Sequence, residues 1–200
     1  MLLGQSLGTA VATAVAERFV VEDNIEFKGI ILVAAFSDIP TLISTYAIGG
    51  IIPILSPLRP YPFLQQFIAK RVQETWYTGR RLANLVQKSR NVNLQLLHSK
   101  NDFDIPWSHS NTLFHVAANA TSERGLTSKQ IEAATLHQDF GGSGHSNIWT
   151  TVEEDGGRKS IKQEIVHHGG RYPISMIYSA RLWFGSLPWT KATIGFQHTQ

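Results

Sequence analysis

The chain opens with an apolar triplet, Met1-Leu2-Leu3, that runs straight into Gly4-Gln5-Ser6-Leu7-Gly8 and then into the small-residue stretch "TAVATAVAERF". Three structures suit such a stretch. A secretory leader would place a cleavage site after Ala14-Val15-Ala16 and remove Ser6, but the basic residues that open such leaders are missing. An ordinary small-residue helix would set Gly8, Ala12 and Ala16, four apart, on one face for close packing. The third is a buried strand that turns sharply at Ser6 into a helix, with flanking glycines where a Cβ would crowd the turn. That last reading makes the strongest demand on the rest of the chain, because it requires further parallel strands and crossover helices.

The chain supplies them. "FKGIILVAAF" from Phe27 to Phe36 and "VNLQLLHS" from Val92 to Ser99 are short apolar runs rich in branched residues, as expected of strands covered on both faces of a parallel sheet. Between them lie an apolar, proline-rich excursion, "SDIPTLISTYAIGGIIPILSPLRPYPF", and helical spacing over about 64–88. "PWSHSNTLFHVAANA" has proline near a helix start, and "LTSKQIEAATLHQ" offers Thr127 or Ser128 as an N-cap. "IWTTVEEDGGRKSIKQEIV" reads as a hairpin turning at Asp155-Gly156-Gly157. Alternating strands and helices predict an α/β fold with a mostly parallel sheet flanked by helices.

Composition narrows the function classes. With 200 residues, 42% hydrophobic and 16% charged, the chain can bury a substantial core. Its 18 Lys and Arg are scattered without a basic run, which argues against nucleic acid as a partner despite a net charge of +3. No cysteine is present, so thiolate metal sites and a cysteine nucleophile are excluded. The longest apolar stretch, "YAIGGIIPILSPL", is too short and too broken by Gly and Pro to span a bilayer.

Reacting groups in open α/β sheets gather beyond the carboxyl ends of strands. There "LLHSKNDFDIPW" sets Asn101, Asp102 and Asp104 just past an apolar run. Turn and cap chemistry is the plain account of such a cluster. A serine at a strand-to-helix turn adds another, since its hydroxyl needs a histidine to take its proton and a carboxylate to orient that histidine, met in the order Ser, Asp, His.

Taken together, "GQSLGTAVA", "IGGIIPILSPLRPYPF" and "LLHSKNDFDIPWSHSNTLF" resemble the alpha/beta-hydrolase superfamily, with the nearest similarity to fungal relatives of the membrane-associated monoacylglycerol and lysophospholipid lipases. The resemblance reaches to about residue 170. It implies a serine esterase or lipase with Ser6 as nucleophile, Asp102 as acid, the Leu7 N–H as one oxyanion donor, and no cofactor or metal. Asp104 falls outside the pattern. The implied substrate is an acylglycerol, a lysophospholipid or a small ester, and the implied location is the endoplasmic reticulum or another membrane surface. The expected organisation is the C-terminal part of a hydrolase domain over 1–170, beginning at the nucleophile turn without the preceding strands and carrying a lid-like insertion at about 38–63, followed by an atypical segment over 171–200.

The base is left open at this level. His145 lies in "GSGHSN", the family's usual Gly-His pairing, but a hairpin follows it. The strand "SIKQEIV" ends at His167-His168-Gly169-Gly170, the place the topology assigns to the base, and His168 is the first choice there. Relatives imply Gly-Gly-His-Asn at this point, whereas this chain has Gly169-Gly170-Arg171-Tyr172, and arginine stays protonated. The alternatives are therefore His168 or His167, His145, or a broken triad that leaves a catalytically inactive binding module. His98, His109, His115, His137 and His198 are expected to pack, cap or face solvent.

Overall fold

The two apolar runs form the middle of a sheet. In the computed structural model, which describes residues 1–45, 47–48, 52–53 and 76–167, β1 (Leu2–Gln5) is followed by α1 (Leu7–Asp23), β2 (Ile30–Val33), α2 (Ile39–Thr45) and a small antiparallel pair, β3 (Ala47–Ile48) and β4 (Ile52–Pro53). After these come α3 (Thr78–Lys88), β5 (Val92–Ser99), α4 (Ser108–Asn119), α5 (Ser128–Ala134), β6 (Leu136–Asp139), β7 (Gly144–Val152) and β8 (Arg158–Val166). The main sheet has six strands in the order β1-β2-β5-β8-β7-β6. The first four are mutually parallel, and β7 and β6 extend the sheet antiparallel.

All four residues of β2 are buried, as a central parallel strand requires. One face of the sheet, with Ile30, Leu32, Leu94, Leu96, Ile161 and Trp149, receives α1, α3, α4 and α5. The small-residue pattern of α1 serves this packing: Ala12, Ala16 and Val20 lie in the core, and Thr9 and Thr13 turn their hydroxyls onto carbonyls of Ser6 and Thr9 one turn back. The opposite face carries Ile31, Val33, Leu97 and Val166, with Gln95 and the Lys162–Glu164 pair, 3.0 Å apart, also buried. At the amino end of the sheet Glu26 fastens β5, its carboxylate accepting from the N–H groups of Arg90 (2.6 Å) and Asn91 (2.8 Å) and from the Asn91 amide (3.0 Å).

Three expectations need correction. Helical spacing over 64–88 predicted one long helix, yet α3 starts only at Thr78. Trp76 takes φ 40°, and Tyr77 (φ −65°, ψ 71°) forms an inverse γ-turn closed by Thr78 N–H to Trp76 O at 2.7 Å. Residues 64–75 lie outside the described residues, as do 168–200 and most of the excursion over 38–63. The helix predicted through "LTSKQIEAATLHQ" ends at Ala134, and Leu136–Asp139 is a strand, exposed along its whole length, that exists because β7 pairs with it. The third correction concerns Gly8: a Cβ there would meet nothing within 4 Å, so only Gly4 answers to crowding. The hairpin falls where expected, with Gly156 at φ 82° between β7 and β8.

Candidate functional site

Ser6 stands between the last residue of β1 and the first of α1 with φ 51° and ψ −124°, a backbone conformation that L-residues avoid. Its N–H donates to Val33 O at 2.9 Å and its carbonyl accepts from both the N–H (2.9 Å) and the hydroxyl (2.6 Å) of Thr9, so both sides of the turn are fixed. Gly4 makes the turn possible, because a Cβ there would lie 2.5 Å from Gly8 O and 2.8 Å from Thr9 Cα. A serine preceding a helix ordinarily spends its hydroxyl on the helix N–H groups. Ser6 makes no such bond and is exposed. Leu7 begins a 17-residue helix, so its N–H has no acceptor one turn back and points out of the helix end, where the helix dipole is positive.

Register orders the remaining candidates. Gln5 lies opposite Val33, Val33 opposite Leu97, His98 opposite Ile165, and Ile165 opposite His145. Extending the ladder by one residue places Ser6, Ala34, His98, Ile165 and His145 in a row across the carboxyl edge of the parallel strands. At about 4.8 Å per strand, Ser6 is roughly 10 Å from β5 and roughly 19 Å from β7. Ala34, next to Ser6 in that row, also has positive φ (51°), so two adjacent strand ends leave the sheet by strained turns.

Asp102 lies in the turn after β5, at this same edge. Its Oδ1 accepts from the N–H groups of Asp104 and Ile105, both at 3.0 Å, which is the turn chemistry expected of an aspartate there. Oδ2 lies 3.9 Å from His98 Nε2, outside hydrogen-bond range. The His98 ring is fully buried, and its Nε2–H donates to Ile105 O at 2.8 Å. Burial pushes the His98 pKa below its usual value, against opposing contributions from the Ile105 carbonyl and Asp102, so at neutral pH the ring is uncharged and its approach to Asp102 is no ion pair. His109, also buried, accepts from the Ser37 N–H at 3.3 Å and has the Ser37 hydroxyl at 3.0 Å, both on Nδ1. Its pKa too is lowered, first by burial, with Asp38 opposing and His98 adding.

His145 is not brought to Asp102. Its ring lies 5.3 Å from that of His137, centroid to centroid, at the far side of the sheet, and its pKa is lowered by burial and by His137 and His167. The glycine before it has a structural duty, since a Cβ on Gly144 would lie 2.1 Å from Ile165 O. The Gly-His pairing therefore follows from close packing of β7 on β8. His137 is held by Asn147 (2.7 Å), which bonds Gln163 (2.9 Å), which bonds Ser110 (3.3 Å). The His167 N–H is tied to Ser143 O at 3.0 Å. His168 and Arg171 lie outside the described residues, but the strand before them ends beside β5 at the Asp102 edge. Among the described residues no group of three or more His, Cys, Asp or Glu is placed to hold a metal, and no helix is long and apolar enough to cross a membrane.

No protein-family model matches the chain, and no curated protein sequence matches it.

Sequence reasoning left the buried pair His98 and His109 without a specific role. His98 carried a local signal, a single imidazole in alternation with the apolar Val92, Leu94 and Leu96. The Ser37–His109 contact carried none, because 72 positions separate its partners.

Proposed function

We propose that the chain is a serine ester hydrolase of the alpha/beta-hydrolase type that cleaves an acyl ester through an acyl-enzyme. The observation that carries this reading is Ser6 itself: an exposed, uncapped hydroxyl on a strained strand-to-helix turn, at the sheet edge where Asp102 also lies. The succession of four parallel strands supports it, since Ser6 follows the first, Asp102 the third, and the segment containing His168 leaves the fourth.

In this mechanism the Ser6 hydroxyl gives its proton to the base as Oγ attacks the ester carbonyl, and the Leu7 N–H stabilises the resulting oxyanion. Collapse expels the alcohol, which takes the proton from the base. Water then repeats the sequence on the acyl-serine and regenerates Ser6. Asp102 orients the base and stabilises its charged form, with Oδ2 as the available oxygen. His168 is the base proposed from chain order. The resemblance points to an acylglycerol or lysophospholipid ester as substrate.

A second reading, an inert hydrolase-like domain that binds without cleaving, is favoured by one observation: among the described residues, no histidine is hydrogen-bonded to Ser6 or Asp102. A fluorophosphonate probe separates the two. The active reading expects labelling that Ser6→Ala abolishes and Asp102→Asn slows by about 100-fold or more. No labelling of the parent chain establishes the inert reading.

A further inference from the structure

β5 is an apolar run with one imidazole on its helix-facing side, and that imidazole has no outlet to solvent: His98 is 0% exposed, and its Nδ1 is buried without a partner. An orphaned buried nitrogen carries a desolvation penalty that leucine at the same place would not. What the ring provides in return is its other nitrogen. Nε2–H holds Ile105 O, while the Ile105 N–H holds Asp102 Oδ1. Ile105 is thus gripped at its carbonyl by the strand below and at its amide by the carboxylate, and its side chain is buried against Ala10 and Phe36. Pro106 follows directly and restricts the backbone of Ile105.

We propose that His98 is the positioning residue of Asp102: by holding the Ile105 carbonyl it fixes the turn whose N–H groups pin Oδ1, and so presents Oδ2 to the base. The role rests on the reading of Asp102 as the acid of a triad. The imidazole does not consume Oδ2, because 3.9 Å separates it from Nε2.

The test compares the full chain with His98→Leu, which removes the donor, and His98→Gln, which retains an N–H. Amide hydrogen exchange is read at Asp104 and Ile105 against Leu94 and Leu96, with fluorophosphonate labelling of Ser6 read in parallel. The expected result for His98→Leu is at least about tenfold faster exchange at Asp104 and Ile105, no change at Leu94 and Leu96, and at least about tenfold slower labelling, the loss of one hydrogen bond being worth roughly that factor. His98→Gln should recover most of both. A general loss of fold would accelerate all four amides and would not be rescued. Unchanged exchange at Ile105 in His98→Leu overturns the proposal, as does equal loss in Leu and Gln variants. If His98→Leu fails to fold, ring nitrogen shifts of the parent decide: a protonated Nε2 and bare Nδ1 support the clamp, and the reverse tautomer overturns it. Absence of Ser6 labelling in the parent is a separate failure, that of the hydrolase reading, and leaves the exchange data to judge the clamp.

Discussion

At the scale of single residues, the strand-to-helix turn at Ser6 makes opposite demands at neighbouring positions. A Cβ on Gly4 has no space against the backbone of Gly8 and Thr9, whereas one on Gly8 meets nothing. Gly4→Ala should therefore cost about 1–3 kcal/mol through overpacking. Gly8→Ala should be neutral or stabilising by up to about 1 kcal/mol, because alanine loses less conformational freedom in a helix. Urea unfolding of the two variants reads both signs, and equal effects would mean that the turn is not built as described. Ser6 offers a second measurement. Its φ of 51° is paid for elsewhere in the fold, so Ser6→Gly should raise stability by about 1 kcal/mol while Ser6→Ala, still bearing a Cβ, should not. A loss of stability on Ser6→Gly would show that the turn carries no strain.

At the scale of elements, legibility in the sequence followed the range of the interactions. β2, β5, α4 and the hairpin joining β7 to β8 were readable because apolar runs and turn residues are local signals. Thr127 was readable as a cap for the same reason, and the fold adds a reciprocal bond, Thr127 N–H to Gln130 Oε1 at 2.9 Å. Thr127→Ala should accordingly cost about 1 kcal/mol. Faster amide exchange confined to Ser128–Ala134 would accompany it, and exchange that stays slow there would argue that α5 is held by packing alone. β6 escaped because "LHQD" is exposed throughout and has no apolar period to reveal it. The start of α3 escaped because apolar spacing continues through Trp76 while the backbone does not. The site divides the same way: Ser6 and Asp102 sit in recognisable local contexts, but the grip of His98 on Ile105 depends on how the loop after β5 folds back over the strand, and the contact of Ser37 with His109 on the fold bringing the segment after β2 to the start of α4. His145 shows the reverse case, a local Gly-His signal whose glycine packing on β8 requires in any event.

At the scale of the whole molecule, imidazoles held uncharged determine how stability varies with pH. His98, His109 and His145 all have folded pKa values below the usual 6.5, each chiefly because burial penalises the charged ring. The unfolded chain therefore binds more protons than the folded one below about pH 6.5, and stability must fall as pH falls through this window. Each fully buried imidazole contributes a slope of up to about 1.4 kcal/mol per pH unit between its unfolded and folded values. His98 and His109 should dominate, since His145 is only half-buried and its neighbours His137 and His167 are screened by solvent. Among the described residues the two carboxylates with a shifted pKa, Glu26 and Asp155, are both lowered and act below this window. Glu26 loses stability to burial but gains more from the Asn91 and Arg90 hydrogen bonds, and its lowered pKa confines its effect to pH below about 4.5. Urea midpoints measured from pH 7.5 to 5.5 should thus decline steadily, and His98→Gln, which cannot take up the proton in either state, should flatten the decline. A midpoint that stays level over this range, or a variant with the parent's full slope, would mean that His98 is not held neutral inside the fold.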